Sequence, residues 1–172
     1  SQLCAAPTIE YVSPAVLQRG AVKRVEVHGT DLSGAFDLWM SLPTGGVRAK
    51  AIGAATVDTA TFEVQVPAAA PLGLYAIRAA TPSGLSNAQI FLIDELPVQQ
   101  PSVDPSAENK PIPLQLPACV AGVCRERTID QYTIEVSAGQ RVSFEVVGSR
   151  LGKDFDPLLT IHDRQGKLVA EG

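Results

Sequence analysis

Few residues in this chain have the side chains that chemistry usually needs. Its 172 residues include two histidines, His28 and His162, and three cysteines, Cys4, Cys119 and Cys124. His28 follows Val25 and Val27 on the opposite parity, and His162 lies between Ile161 and Asp163. Strand alternation places both imidazoles outward, so their presence is explained without a catalytic base. Thiol catalysis would require Cys119 or Cys124 beside His162, and no activating partner is visible around either thiol. A G-x-S-x-G elbow, a P-loop, a dinucleotide fingerprint and an H-E-x-x-H pair are all absent. The expectation is a chain that is not an enzyme.

Ligand-binding candidates are also sparse. Asp154, Asp156 and Asp163 can offer hard oxygens to calcium, the one cofactor the sequence suggests. A calcium site wants about six or more oxygens, and EF-hand spacing is missing. A turn fixed by Asp156 before Pro157 is the simpler role, and Asp31 in Gly29-Thr30-Asp31-Leu32 is read the same way. Trp39 is the only tryptophan. With Phe36 and Met40 it can form an aromatic platform, and Tyr11 is a second ligand-binding candidate. A packed indole is favoured because a lone Trp is usually buried, so exposure of Trp39 decides between the two. Cys119 and Cys124, if on one extended strand, stand roughly 16 Å apart, beyond disulfide reach. A bond between them needs a turn at Ala121-Gly122.

The elements that must carry these residues repeat with a period of two. Val25 and Val27 alternate with Arg24, Glu26 and His28. Phe62, Val64 and Val66 alternate with Thr61, Glu63 and Gln65, and Tyr75 and Ile77 with Ala76 and Arg78. Farther on, Tyr132, Ile134 and Val136, then Val142, Phe144 and Val146, repeat the pattern. Each is a half-buried strand with one core face and one wet face. Turn residues separate them, as in Pro71-Leu72-Gly73, Thr81-Pro82-Ser83-Gly84 and Asp163-Arg164-Gln165-Gly166. The expected fold is all-β, two β-sandwich modules at residues 6–93 and 110–172. Between them, residues 94–109 include Pro97, Pro101 and Pro105 among polar residues and read as a Pro-rich linker. The net charge of −4 argues against a nucleic-acid partner. No apolar run reaches the roughly 20 residues of a membrane span.

Pro7-Thr8-Ile9-Glu10-Tyr11-Val12-Ser13-Pro14, Val25-Glu26-Val27-His28-Gly29-Thr30-Asp31-Leu32, Gly73-Leu74-Tyr75-Ala76-Ile77-Arg78 and Gly84-Leu85-Ser86-Asn87 follow in order. On these segments the first module resembles the IPT/TIG family of immunoglobulin-like domains, which implies a sandwich of roughly seven strands. The second module carries Asp130-Gln131-Tyr132-Thr133-Ile134-Glu135-Val136, Ala138-Gly139-Gln140-Arg141-Val142 and Phe155-Asp156-Pro157-Leu158-Leu159-Thr160-Ile161. It resembles the N-terminal part of the bacterial pre-peptidase C-terminal domain, a jelly-roll-like sandwich of secreted planctomycete-type multidomain proteins. Cys119 and Cys124 fall outside that family pattern, and the family continues past the position of Gly172. The second module is therefore expected to be truncated, with an apolar face or strand edge left open.

The resemblances imply an extracellular, periplasmic or cell-surface location. In that setting Cys119 and Cys124 either bond each other across Gly122 or pair outside the chain. Cys4, in a small-residue segment like the tail of a signal peptide, is expected to be unpaired or disordered. The expected function is a non-catalytic interaction or spacer segment of a larger exported bacterial protein. Its partners would be other domains of the same polypeptide or a cell-surface polymer or protein. The alternatives are a carbohydrate- or protein-binding module and the accessory region of a secreted hydrolase.

Overall fold

The computed structural model describes residues 5–42, 46–100, 110–122, 129–152 and 157–172. Among these residues the secondary structure is β throughout, apart from one 3-10 turn at Ser149–Leu151. In chain order the strands begin with β1 (Thr8–Ser13), β2 (Val16–Gln18), β3 (Val22–Thr30), β4 (Asp37–Met40) and β5 (Arg48–Ala51). They continue with β6 (Thr59–Gln65), β7 (Gly73–Thr81), β8 (Gly84–Leu85), β9 (Gln89–Asp94) and β10 (Val98–Gln99). The last are β11 (Ile112–Leu114), β12 (Cys119–Val120), β13 (Tyr132–Ile134), β14 (Thr160–His162) and β15 (Leu168–Glu171). The all-β expectation is met. The chain divides into two units, Ser1–Val136 and Ser137–Gly172.

In the first unit, one sheet has four strands in the order β1-β3-β6-β5. A second has the order β2-β9-β7-β4, with β8 added beside β7 as its fifth strand. β2 pairs with β9 in parallel, and the other pairs of these two sheets are antiparallel. The inward parity expected from the sequence holds on three long strands. Val25 and Val27 of β3, Phe62 and Val64 of β6, and Ile77 and Ala79 of β7 are buried. With Leu38, Phe91 and Ile93 they form one core between the two sheets. Each large side chain hidden this way contributes roughly 1.5–3 kcal/mol.

Three local devices fix the edges of this core. β1 carries a bulge between Ile9 and Tyr11. At Ile9, which faces Gly29 in a non-hydrogen-bonded pair, the peptide N–H and carbonyl point away from β3 and need partners from elsewhere. Asn87 supplies them: its Oδ1 accepts the Ile9 N–H at 2.6 Å and its Nδ2 donates to the Ile9 carbonyl at 2.9 Å. Opposite Ile9 stands Gly29, where an added Cβ would lie 1.9 Å from the Thr8 carbonyl oxygen. Only glycine admits β1 that close. At the β6–β7 corner, the Tyr75 hydroxyl donates to the Pro71 carbonyl at 3.1 Å, and its ring tilts onto Phe91 with centroids 6.1 Å apart.

The rest of the first unit is thinner. β10 pairs in parallel with β12, and β11 with β13, each as a two-stranded sheet. Within the expected linker, Val98–Gln99 is strand, and residues 101–109 lie outside the described residues.

The second unit holds one antiparallel hairpin, β14–β15. Its turn forms where the sequence placed it, with the Gly166 N–H donating to the Asp163 carbonyl at 3.0 Å. No described residue of this unit is buried. The strand expected at Arg141–Val147 is not formed: no ladder bonds join it to another described segment. Its alternation supplies an apolar row, but a strand exists only where a neighbour takes its backbone groups.

Candidate functional site

The two large sheets of the first unit present different outer faces. On the four-stranded sheet the outward positions are mostly polar, with Val22 and Tyr11 the exposed apolar or aromatic exceptions. Arg24 stands opposite Glu63, Glu26 opposite Thr61 and His28 opposite Thr59, with Lys50 on the far side of Glu63. Such a face is well solvated and needs no cover.

The outer face of the five-stranded sheet is apolar. Leu74, Leu92 and Val16 form one row across β7, β9 and β2, with Val16 already covered at 5% exposure. Ala76 and Ile90 form the next, and Trp39 faces Arg78 in the row beyond. Leu74 is 40% exposed and Trp39 49%, while Ala76, Ile90 and Leu92 are half-buried. Arg78 is the one charge within these rows. It is tied down, because its Nη1 donates to the Ser86 carbonyl at 3.3 Å. At the β4 edge the Asp37 carboxylate accepts the N–H of Leu38 at 2.8 Å, which blunts a donor that another strand could use. The face thus carries a run of apolar side chains over adjacent rows, with polar groups at its edges.

Of the two packing roles expected for Trp39, in the core or between modules, the core role is not met. Leu38 takes the inward position on β4 and is 6% exposed, so parity turns the indole outward. Tyr11 lies on β1 of the other sheet. Its ring stacks on His28 with centroids 4.4 Å apart at 13°, and His28 Nε2 is 3.6 Å from Glu26 Oε2. Trp39 and Tyr11 therefore belong to different sheets and cannot share one platform.

Asp163 is a turn residue: its Oδ1 accepts the N–H groups of Gln165 and Lys167, each at 2.9 Å. Asp154 and Asp156 lie outside the described residues, as do Cys4 and Cys124. Among the described residues no three His, Cys, Asp or Glu side chains converge. Cys119 is half-buried on β12 and makes no disulfide with another described residue. Burial first, and the Asp94 carboxylate second, push its thiol above the usual cysteine range. Leu42, Val47, Pro67 and Ala70 line an apolar depression of about 140 Å³, well below the roughly 300 Å³ at which small-molecule pockets begin.

The apolar face escaped the sequence reasoning, although a signal for it exists. Ile90-Phe91-Leu92-Ile93 is an unbroken apolar run. Such a run marks a strand with apolar residues on both faces, which alternation alone does not report. No family model matches this chain, and no curated protein matches it.

Proposed function

We propose that the chain is a non-catalytic interaction segment of a larger exported bacterial protein, acting through the apolar outer face of its five-stranded sheet. The observation that carries this is the contrast between the two outer faces. One is mostly polar, with Val22 and Tyr11 as separate apolar or aromatic exceptions. The other spreads Trp39, Leu74, Ala76, Ile90 and Leu92 over adjacent rows. A contiguous apolar patch of this kind is the mark of a protein contact. Its first partner is another domain of the same polypeptide, with a cell-surface protein next.

The scaffold is read as immunoglobulin-like. The order β1-β3-β6-β5 against β2-β9-β7-β4 corresponds to the strand arrangement of constant-type domains. Tyr75, bonded to a carbonyl four residues upstream at the β6–β7 corner, matches the tyrosine corner of that fold. Both features support the IPT/TIG resemblance, and with it an extracellular, periplasmic or cell-surface setting.

The test is binding of the purified chain to the remaining domains of its parent polypeptide. Trp39→Lys and Leu74→Lys alter exposed positions and leave the core intact. Each should weaken binding by at least about tenfold, since a desolvated anchor is worth roughly 2 kcal/mol. Thr61→Lys, on the polar sheet, should leave binding unchanged. Equal loss from all three variants, or none from the first two, refutes the assignment. Exposure of Trp39 also keeps a carbohydrate-binding function in play. A saturable change in Trp39 emission on a glycan panel, insensitive to Leu74→Lys, supports that function instead.

A further inference from the structure

We propose that Arg141–Val147 is a self-pairing strand through which two copies of this chain associate. This rests on the second unit alone and is independent of the face around Trp39. The segment reads Arg-Val-Ser-Phe-Glu-Val-Val, with Val142, Phe144 and Val146 on one parity. That is strand patterning, yet none of its backbone groups is in a ladder with another described segment. Phe144 is 42% exposed and Val146 45%. Among the described residues the hairpin of this unit pairs β14 only with β15. Donors and acceptors that no other described segment takes up, beside an apolar row, offer a template for another strand.

The sequence of this segment is complementary to itself. In an antiparallel pair centred on Phe144, the two Phe144 rings face each other. Val142 then lies opposite Val146 of the second copy, and the same pairing repeats on the other side of the twofold axis. Every apolar residue of the row meets an apolar partner, as a symmetric interface requires. The charges agree with this register: Arg141 of one copy falls diagonal to Glu145 of the other, within reach of a long side chain. Within one copy Glu145 already pairs with Arg150, so the carboxylate sits between two guanidinium groups in the dimer. A one-residue slip would set apolar against polar positions and lose this match. The contact is small compared with standard interfaces, so association should depend on concentration.

Sedimentation equilibrium of the full 172-residue chain under reducing conditions reads the association directly. The wild type should move from monomer to dimer as concentration rises. Phe144→Lys and Phe144→Glu each place like charges face to face and should raise the dissociation constant about tenfold or more. Mixing the two variants should recover association that neither shows alone, because the central pair is then Lys against Glu. Hydrogen exchange should slow at the amides of 141–147 as the wild type is concentrated, a readout that needs no variant. A monomer at all concentrations, dimerisation unaffected by Phe144→Lys, or protection confined to other segments overturns the proposal.

Discussion

Replacing Gly29 by alanine tests how tightly β1 is held. The new Cβ would lie 1.9 Å from the Thr8 carbonyl oxygen, 2.8 Å from its carbon and 3.0 Å from Ile9 Cα. All three contacts are backbone, so no side chain can rotate away. β1 must retreat by about 1 Å or more to restore ordinary separations. Retreat loosens Ile9, which is 2% exposed, and strains the bonds from Asn87 to its peptide. Partial loss of an isoleucine's burial, roughly 1.5–3 kcal/mol in full, is joined by hydrogen bonds worth about 1 kcal/mol each. The Gly→Ala change returns about 0.4–1 kcal/mol by restricting the unfolded chain. The net loss is about 3 kcal/mol, or a fall in Tm of about 10–15 °C for a unit of this size. Thermal unfolding followed by tryptophan emission isolates the first unit, because Trp39 is the only tryptophan. Gly122→Ala, where a methyl meets nothing within 4 Å, is the control and should barely move Tm. A Gly29→Ala protein melting within about 2 °C of the wild type refutes the close-approach argument.

Other predictions concern single contacts. Asn87→Ala should cost about 2 kcal/mol in urea unfolding, since the Ile9 N–H loses its acceptor while its carbonyl keeps Gln89, 2.7 Å away. An unchanged midpoint would show that the clamp carries no stability. The Asp58 carboxyl is held below its usual range, first by the Thr56 hydroxyl and then by a backbone N–H. A lowered folded-state pKa stabilises above the unfolded value, and the benefit is lost as pH falls through the folded one. Thr56→Ala should therefore move the Asp58 titration, followed by NMR, to higher pH; no movement removes the hydroxyl as the main cause. In a Cys4→Ser/Cys124→Ser background, Cys119 should react with thiol reagents more slowly than a free thiol at pH 8. Asp94→Asn should speed it only modestly, because burial is the larger cause. A large acceleration would reverse that ranking.

Much of the first unit was legible because its strands alternate cleanly. Val25, Val27, Phe62, Val64 and Ile77 point inward as their period demands. Turn chemistry located the β7–β8 corner and the Asp163 hairpin. Three things were not legible, each for a physical reason. The Asn87 clamp joins residues 78 apart in sequence, so no local pattern reports it. The outward turn of Trp39 depends on Leu38 claiming the core position, and Phe36, Leu38 and Met40 left the parity of that short strand ambiguous. The period of Arg141–Val147 predicts a strand that is not formed, because period says nothing about whether a partner is present.

The apolar face of the five-stranded sheet is proposed to meet a protein partner. Chain labelled with 5-fluorotryptophan reports on it through one fluorine signal, at Trp39. The measurement is the solvent isotope shift of that signal, alone and saturated with the other domains of the larger polypeptide proposed above. At 49% exposure the free indole feels solvent, and on binding the isotope shift should collapse. Binding that leaves the shift unchanged would place the contact elsewhere and contradict the account.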